Sequence, residues 1–495
     1  MATTRMDERS SHRLRERSLD APHVIFQSIT HGAPAVSLAF SIIVLVPIAG
    51  TAIPFTLVLA MIAVLLVAVA MGQLGKEMPS AGGLYTYAAG ALGPRAGFMV
   101  GWLYLIFEPW LMPLLLLLGA QFLQSFVQTE FHVDTGWVLW VFVIGAAIFV
   151  LTYRNIRVSM TAGIALAVFE VGSFLALAIW MVIAHHDQNT LQTFNPASAP
   201  GNAGTSVLKS MVFAVVAFIG FEGAASLGEE AKDGRRAVPK ALIIGVLSIA
   251  AFYIFMTYAW VVGTGFHDFV SVTTSSSNPF YDLARKFWGA GWIIIFFGLM
   301  TGIFGNANAG MTTGSRLMFA MGRNGALPAV LGRTHPRFHT PSAGIIVNTV
   351  FGIAVTLLLG STIGISQGIG FVGLVIGMAG ITMYILMCVS CLVFYLRKRR
   401  DKFNFWLHGV IPVLGAAAFI APIYYQYVPL VPFPLRWALI YDPVWIILGF
   451  AVMAWLEVKR PGVLANGSRL FGAELPESGA AIAASGDAAP GLAAS

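Results

Sequence analysis

The chain has little charge for its length. Asp, Glu, Lys and Arg make up 10% of its 495 residues, whereas a soluble domain carries about 25%. A chain so poor in charge cannot cover a water-facing surface, which excludes a single soluble globule, a disordered chain and a nucleic-acid-binding chain. The only two cysteines, Cys388 and Cys391, are too few for a disulfide framework. We expect no cleavable signal peptide, because the first apolar stretch is too long for one.

Long apolar runs fill most of the chain, and 57% of its residues are hydrophobic. A bilayer core needs about 20 apolar residues in a helix. Twelve such runs lie near residues 28–49, 53–72, 93–123, 137–152, 158–184, 206–227, 238–263, 289–321, 343–360, 369–396, 405–424 and 440–457. The sequence therefore predicts an all-α polytopic membrane protein with 12 transmembrane helices. One domain would cover 23–461, with an N-terminal tail at 1–22 and a disordered C-terminal tail at 462–495.

The basic residues predict the orientation of these spans. With the N-terminus inside, 25 of the 29 Lys and Arg residues fall on the cytoplasmic side. The exceptions are Lys209, Arg285, Lys286 and Arg436. Such an excess follows the positive-inside rule and places both termini in the cytoplasm. The net charge of +7 is thereby explained without a nucleic-acid partner.

Three acidic residues lie deep in the predicted spans: Glu108 in span 3, Glu170 in span 5 and Glu222 in span 6. No Lys or Arg lies deep in a span. Because a charge at membrane depth is costly, each of these acids is a candidate functional group. Acids without basic partners suggest protonated carboxyls, a bound cation or a cationic substrate. The alternative is that some of them lie near a helix end or bond to neighbouring backbone groups.

Helix-breaking residues interrupt spans 1 and 6. Span 1 contains Pro34 within residues 31–35, and span 6 contains two glycines within residues 218–223. Interrupted helices in corresponding positions of two halves are typical of transporter binding sites. The interruptions are five spans apart, which predicts inverted repeats at about 23–185 and 205–398. Two additional C-terminal helices follow at about 403–458. The alternative is that Gly and Pro merely aid helix packing.

Unwound segments expose backbone groups at the middle of the bilayer. The positive ends of half-helices suit a carboxylate, and the freed carbonyl groups suit an ammonium or a metal ion. One pocket that offers both is matched to a zwitterion such as an amino acid. The aromatic rings of Phe218 and Phe221 could close over it.

Three segments resemble the amino acid–polyamine–organocation permease family. Segment 218–240, FIGFEGAASLGEEAKDGRRAVPK, is similar to that family's sixth span and following loop. Segment 316–341, RLMFAMGRNGALPAVLGRTHPRFHTP, resembles its eighth span and following loop, and segment 76–84, KEMPSAGGL, its loop after span 2. The resemblance implies the leucine-transporter-type fold of 5+5 inverted repeats. It also implies alternating access around a site between spans 1, 3, 6, 8 and 10.

In this family a substrate carboxylate meets amides of span 1, and its ammonium meets carbonyls of spans 1 and 6. The matching positions here are Gly32, Ala33, Pro34, Ala35 and Val36 in span 1, and Phe218, Ile219, Gly220, Phe221 and Glu222 in span 6. Many members carry Gly-x-Gly in span 1, whereas this chain has Gly-Ala-Pro-Ala at 32–35. Glu108 is a further candidate, because an acid facing the site would favour a cationic substrate. It could instead face the neighbouring helices.

Ion coupling is expected at span 5. Some proton-coupled members place a Lys there, at the site that a sodium ion fills in sodium-coupled relatives. Glu170 falls near that position, and Asn308 and Thr312 in span 8 are candidate partners. A carboxyl there could hold a proton, a sodium ion or neither. We favour a proton, since burial makes an unpaired Glu a feasible proton carrier.

The sequence thus predicts a secondary active amino acid permease of the cytoplasmic membrane that works without a cofactor, metal or covalent step. Its expected partners are a small solute, the lipid bilayer and a coupling ion. A polyamine or amine transporter, or an exchanger of the same fold, is the alternative. A channel would be expected to show charged rings or filter motifs, and an enzyme a cluster of catalytic or metal-binding residues. Neither pattern is present.

Overall fold

The chain folds into a bundle of helices, and no β-sheet occurs among the residues described. The computed structural model describes residues 19–80, 82–154, 160–228, 231–276, 279–323, 325–336, 338 and 340–465. Residues 1–18 and 466–495 of the two predicted tails lie outside this part of the chain. Two predicted cytoplasmic arginines between these tails, Arg157 and Arg337, also lie outside it.

The α-helices of the described chain are numbered in order. They are α1 (Ala21–His31), α2 (Pro34–Ala49), α3 (Ile53–Glu77), α4 (Gly83–Leu92), α5 (Pro94–Phe131), α6 (Trp137–Tyr153), α7 (Met160–Ala184), α8 (Ala203–Phe218), α9 (Gly234–Thr264), α10 (Phe269–Ser275), α11 (Pro279–Trp288), α12 (Trp292–Arg323), α13 (Ser342–Thr362), α14 (Ile365–Arg397), α15 (Ile411–Ala417), α16 (Ile420–Tyr427) and α17 (Arg436–Lys459).

Ten helical stretches of the described chain are long and apolar enough to cross a membrane, and α6 is a shorter apolar helix. Three of these stretches contain two α-helices each, α2 with α3, α11 with α12, and α15 with α16. The long third and eighth runs of the sequence correspond to α5 and α12, which have 38 and 32 residues. The chain is therefore a multi-pass membrane protein, as the sequence predicts.

Helix α5 lies in the middle of the bundle. It contacts α4, α6, α12, α13 and α14. Its residues from Gly97 to Phe122 are almost all buried, and Glu108 sits within this stretch. On the other side of the bundle, α9 packs against α1 and α3. The acidic residue of α5 is thus placed among helices rather than towards lipid.

Ion pairs gather where the loops predicted to be cytoplasmic meet. Asp20 pairs with Lys232 at 2.8 Å, and Arg95 pairs with Glu457 at 2.7 Å. The hydrogen bond and charge of Lys232 lower the pKa of the Asp20 carboxyl. The starts of α1, α5 and α9 and the ends of α3, α14 and α17 lie here. This end of the bundle is called the basic end below.

Candidate functional site

The helix that begins at residue 21 is broken after His31. Ala33 adopts φ 38° and ψ 72°, the left-handed region that non-glycine residues rarely occupy. Pro34 then starts α2, at a position where its missing N–H costs no helical hydrogen bond. The carbonyl of Gly32 accepts a hydrogen bond from Ser37 Oγ at 2.7 Å. The predicted interruption of span 1 is therefore a two-residue break between helices α1 and α2.

A second break separates α8 from a short 3-10 helix, Phe221–Leu227. Gly220 lies in this break with φ 112°, a conformation readily available only to glycine. A Cβ atom at Gly220 would lie 2.8 Å from the carbonyl carbon and oxygen of His31 and from Gly32 N. The two broken segments therefore touch through their backbones, and the contact needs glycine at this position.

A side chain from α7 caps the start of α2. Ala35 N donates to Glu170 Oε1 at 2.8 Å, and only 5% of the Glu170 surface is exposed. A carboxylate at this position is favourable because a helix N-terminus carries partial positive charge. A Cβ at Gly302 of α12 would lie 3.0 Å from the same oxygen. Glu170 thus links α7, α2 and α12 at the break.

A buried polar cluster lies on the basic-end side of the breaks. Glu222 Oε2 accepts hydrogen bonds from Gly220 N at 3.1 Å and from Tyr384 Oη at 3.2 Å. His31 Nε2 lies 3.9 Å from Glu108 Oε1. Glu108 Oε2 is buried and has no hydrogen-bond partner among the described residues. Two carboxyl groups, from α5 and from the segment after α8, thus flank the break in span 1.

A small cavity adjoins the breaks on the side away from the basic end. Polar side chains in its wall are His31, Ser37 and Asn306, and apolar ones include Leu111, Leu115 and Val216. Its volume is about 20 Å³, which gives room for roughly one water molecule. A solute the size of an amino acid can enter only if the surrounding helices move apart.

The two aromatic residues expected to close over the site are packed between helices. Phe218 is fully buried, and its ring lies edge-on to Tyr253 of α9 at a centroid distance of 5.6 Å. Phe221 is also fully buried, 5.7 Å from the ring of Tyr384. Neither ring lines the cavity described above. Both rings pack against side chains of the neighbouring helices α9 and α14.

The residues expected to assist Glu170 lie at another height of α12. Glu170 contacts α12 at Gly302, and Asn308 and Thr312 follow roughly 9 and 15 Å further along the helix axis at 1.5 Å per residue. Asn308 Oδ1 accepts a hydrogen bond from Thr152 Oγ1 of α6 at 2.8 Å. The structure therefore does not bring Asn308 and Thr312 together with Glu170.

Three polar residues of this region were not singled out from the sequence. Tyr384 donates to Glu222, whereas Ser37 and Asn306 line the cavity. The feature of the sequence that could have identified them is a polar residue inside an otherwise apolar span. Ser37 follows Pro34 by one helical turn, and Asn306 precedes Asn308 by two residues, which turns it to a different face of α12.

Comparison with known proteins decides the family. The amino acid permease family matches residues 24–452, which include both breaks and the acids Glu108, Glu170 and Glu222. The chain is a permease of the amino acid–polyamine–organocation superfamily. The permease is 27% identical to the low-affinity putrescine importer PlaP of Escherichia coli (strain K12), over 74% of this chain and 78% of the relative.

Two further relatives are named for amino acids. The permease is 27% identical to the branched-chain amino acid permease BcaP of Bacillus subtilis (strain 168), over 71% of this chain and 75% of the relative. It is 26% identical to the serine/threonine exchanger SteT of the same organism, over 58% of this chain and 64% of the relative. These relatives are transporters, and the permease is a membrane transporter rather than an enzyme.

Proposed function

We propose that the permease is a secondary active transporter that moves an amino acid or a related amine across the cytoplasmic membrane by alternating access. The observation that carries the proposal is the backbone contact between the two broken segments, with a cavity beside it. Discontinuous helices at the middle of the bilayer are a recurring device for binding small polar solutes. The relatives named for putrescine and for amino acids support the same substrate range.

We further propose twelve crossings arranged as 5+5 inverted repeats followed by two helices. The apolar stretch Pro34–Glu77 has 44 residues, roughly 66 Å of helix at 1.5 Å per residue, or about twice the thickness of the hydrocarbon core. It therefore crosses twice, whereas the 45-residue stretch Pro279–Arg323 crosses once, because its first helix, α11, has only 10 residues and is too short and too polar to cross. Counting α6 as well raises the ten stretches to twelve crossings, with the breaks in the first and the sixth. The positive-inside rule then favours a basic end and both termini in the cytoplasm.

Coupling to a proton is proposed at Glu170, with sodium as the alternative ion. Its carboxyl accepts a hydrogen bond from the N–H of Ala35 at the start of α2 and lies against Gly302 of α12. A change of charge on this carboxyl changes its attraction to the positive end of α2. Such a change would alter how firmly α2 is held to α7 and α12, which is what coupling requires.

The test is uptake by the purified permease in liposomes, with proton and sodium gradients imposed separately and with a panel of labelled amino acids and amines. We expect an inward proton gradient to accelerate uptake by the wild-type permease, and we expect Glu170→Gln to lose this acceleration. Glu457→Gln, which changes an acid at the basic end, is the matched control and should keep it. Full pH-driven uptake by Glu170→Gln would remove the proton role. Absence of uptake for every solute would remove the transport proposal.

The relative named as an exchanger supports a second mode for the same site. Liposomes preloaded with unlabelled solute distinguish the two modes. An exchanger takes up label only when the interior is loaded, whereas a symporter also takes it up into empty liposomes under an ion gradient.

A further inference from the structure

We propose that the substrate of this permease is an amine that lacks a carboxylate next to its ammonium group. The inference rests on the proposed transport function and names its substrate class. It is drawn from the start of α2, where the chain itself removes one and occupies another of the backbone N–H groups that would bind a substrate carboxylate.

Backbone N–H groups are scarce at the start of α2. A helix N-terminus binds an anion through the free N–H groups of its first residues. Pro34 is the first residue of α2 and has no N–H. Ala35 donates its N–H to Glu170, and Ser37 donates its own to the carbonyl of Ala33. Among the first three residues of α2 only the N–H of Val36 remains. A carboxylate would therefore depend on that N–H and on the amides of Gly32 and Ala33 before the helix, without the adjacent N–H groups of an open helix N-terminus.

The charges around the break disfavour a second carboxylate. Glu170 Oε1 lies 2.8 Å from Ala35 N, so a substrate carboxylate directed at this helix end would approach a carboxyl of the protein. In the ionised form of Glu170, two like charges at one helix end repel strongly away from water. His31 is the nearest basic side chain described at the break, and it already faces Glu108.

The same region offers acceptors for an ammonium group. Glu108 Oε2 is buried without a hydrogen-bond partner among the described residues, and 2% of the residue is exposed. Because Pro34 has no N–H, the carbonyl four residues earlier has no helical donor either. An ammonium group donates up to three hydrogen bonds and accepts none. The region around the break is therefore better suited to a cation than to a zwitterion.

The experiment compares matched ligands that differ only by the carboxylate. Cadaverine is compared with lysine, putrescine with ornithine and agmatine with arginine, as competitors of labelled putrescine uptake and as labelled substrates, in liposomes that contain the full-length permease. We expect each amine to compete at least ten times more strongly than its amino acid. Equal or stronger competition by the amino acids, or transport of amino acids alone, overturns this inference and leaves the proposed function standing. No uptake of any solute overturns both.

Variants at the start of α2 give a second readout, which is the ratio of the two dissociation constants within one matched pair, measured on purified protein. Pro34→Ala restores an N–H, and Glu170→Ala releases that of Ala35. Each should move the lysine-to-cadaverine ratio several-fold towards lysine. Glu170→Gln keeps an acceptor for Ala35 and should move the ratio less than Glu170→Ala does. Unchanged ratios in well-folded Pro34→Ala and Glu170→Ala proteins contradict the inference. If one variant fails to fold, the other and the ligand pairs still decide.

Discussion

Replacing Gly220 with alanine should disrupt the contact between the two broken helices. The added Cβ would lie 2.8 Å from three backbone atoms of His31 and Gly32. Backbone atoms cannot rotate away as the end of a flexible side chain can. The substitution must therefore push the two segments apart or change the backbone of residue 220.

The expected cost has two parts. A non-glycine residue held in a sparsely populated backbone region costs about 1–3 kcal/mol, and Gly220 has φ 112°. Extra atoms forced into a packed region cost about 1–3 kcal/mol more. If most of this cost falls on the binding-competent arrangement, substrate affinity falls at least tenfold, since about 1.4 kcal/mol corresponds to a factor of ten.

The assay is substrate binding to the purified permease, followed by substrate-dependent thermal stabilisation and then by uptake in liposomes. Gly172→Ala is the matched control. Gly172 lies in membrane helix α7, and a Cβ there meets nothing within 4 Å. The control should bind normally and melt at or slightly above the wild-type temperature, since alanine favours helix over glycine. If Gly220→Ala binds, melts and transports like Gly172→Ala, the argument that the two breaks must touch is refuted.

Two further substitutions test the polar groups. Tyr384→Phe removes the hydroxyl donor to the buried Glu222 carboxyl and should lower thermal stability and uptake, because a hydrogen bond contributes about 0.5–1.5 kcal/mol. Tyr424→Phe, at an exposed tyrosine, should change neither. Asp20→Asn removes the partner of Lys232. Because this pair lowers the pKa of Asp20, its contribution is complete above the ordinary Asp pKa and lost as the pH falls through the lowered value. The melting-temperature difference between wild type and Asp20→Asn should therefore be largest near neutral pH and vanish in acid. A difference that grows in acid would contradict this reading.

The helices and the two breaks could be predicted because each depends on local chemistry. A run of about 20 apolar residues is a property of the sequence alone. Pro34 cannot continue a helix from the preceding turn. The paired glycines weaken span 6 whichever helices surround it. The long runs near 93–123 and 289–321 likewise correspond to α5 and α12.

The partners of the buried acids could not be predicted, because they depend on the register between helices far apart in sequence. Glu170 binds an amide 135 residues away, and Glu222 binds a hydroxyl 162 residues away. Asn308 and Thr312 are on the helix that Glu170 contacts, but at another height. A shift of about 9 Å along a helix axis corresponds to six residues, which no apolar pattern resolves. For the same reason, sequence alone could not tell that Phe218 and Phe221 pack away from the cavity.

The position of Glu170 is suited to the proposed link between substrate access and ion coupling. The cavity of about 20 Å³ must widen before any substrate enters, and α2 supplies part of its wall through Ser37. Helix α2 is held at its start by the Glu170 carboxyl, which also lies against Gly302 of α12. Movement of α2 away from α7 and α12 therefore strains or breaks the bond from Ala35 N. Since the strength of that bond depends on the charge of the carboxyl, the ion proposed to bind at Glu170 would change the energy of opening. A substrate carboxylate at the same helix end would compete with Glu170, whereas an amine would leave the bond intact.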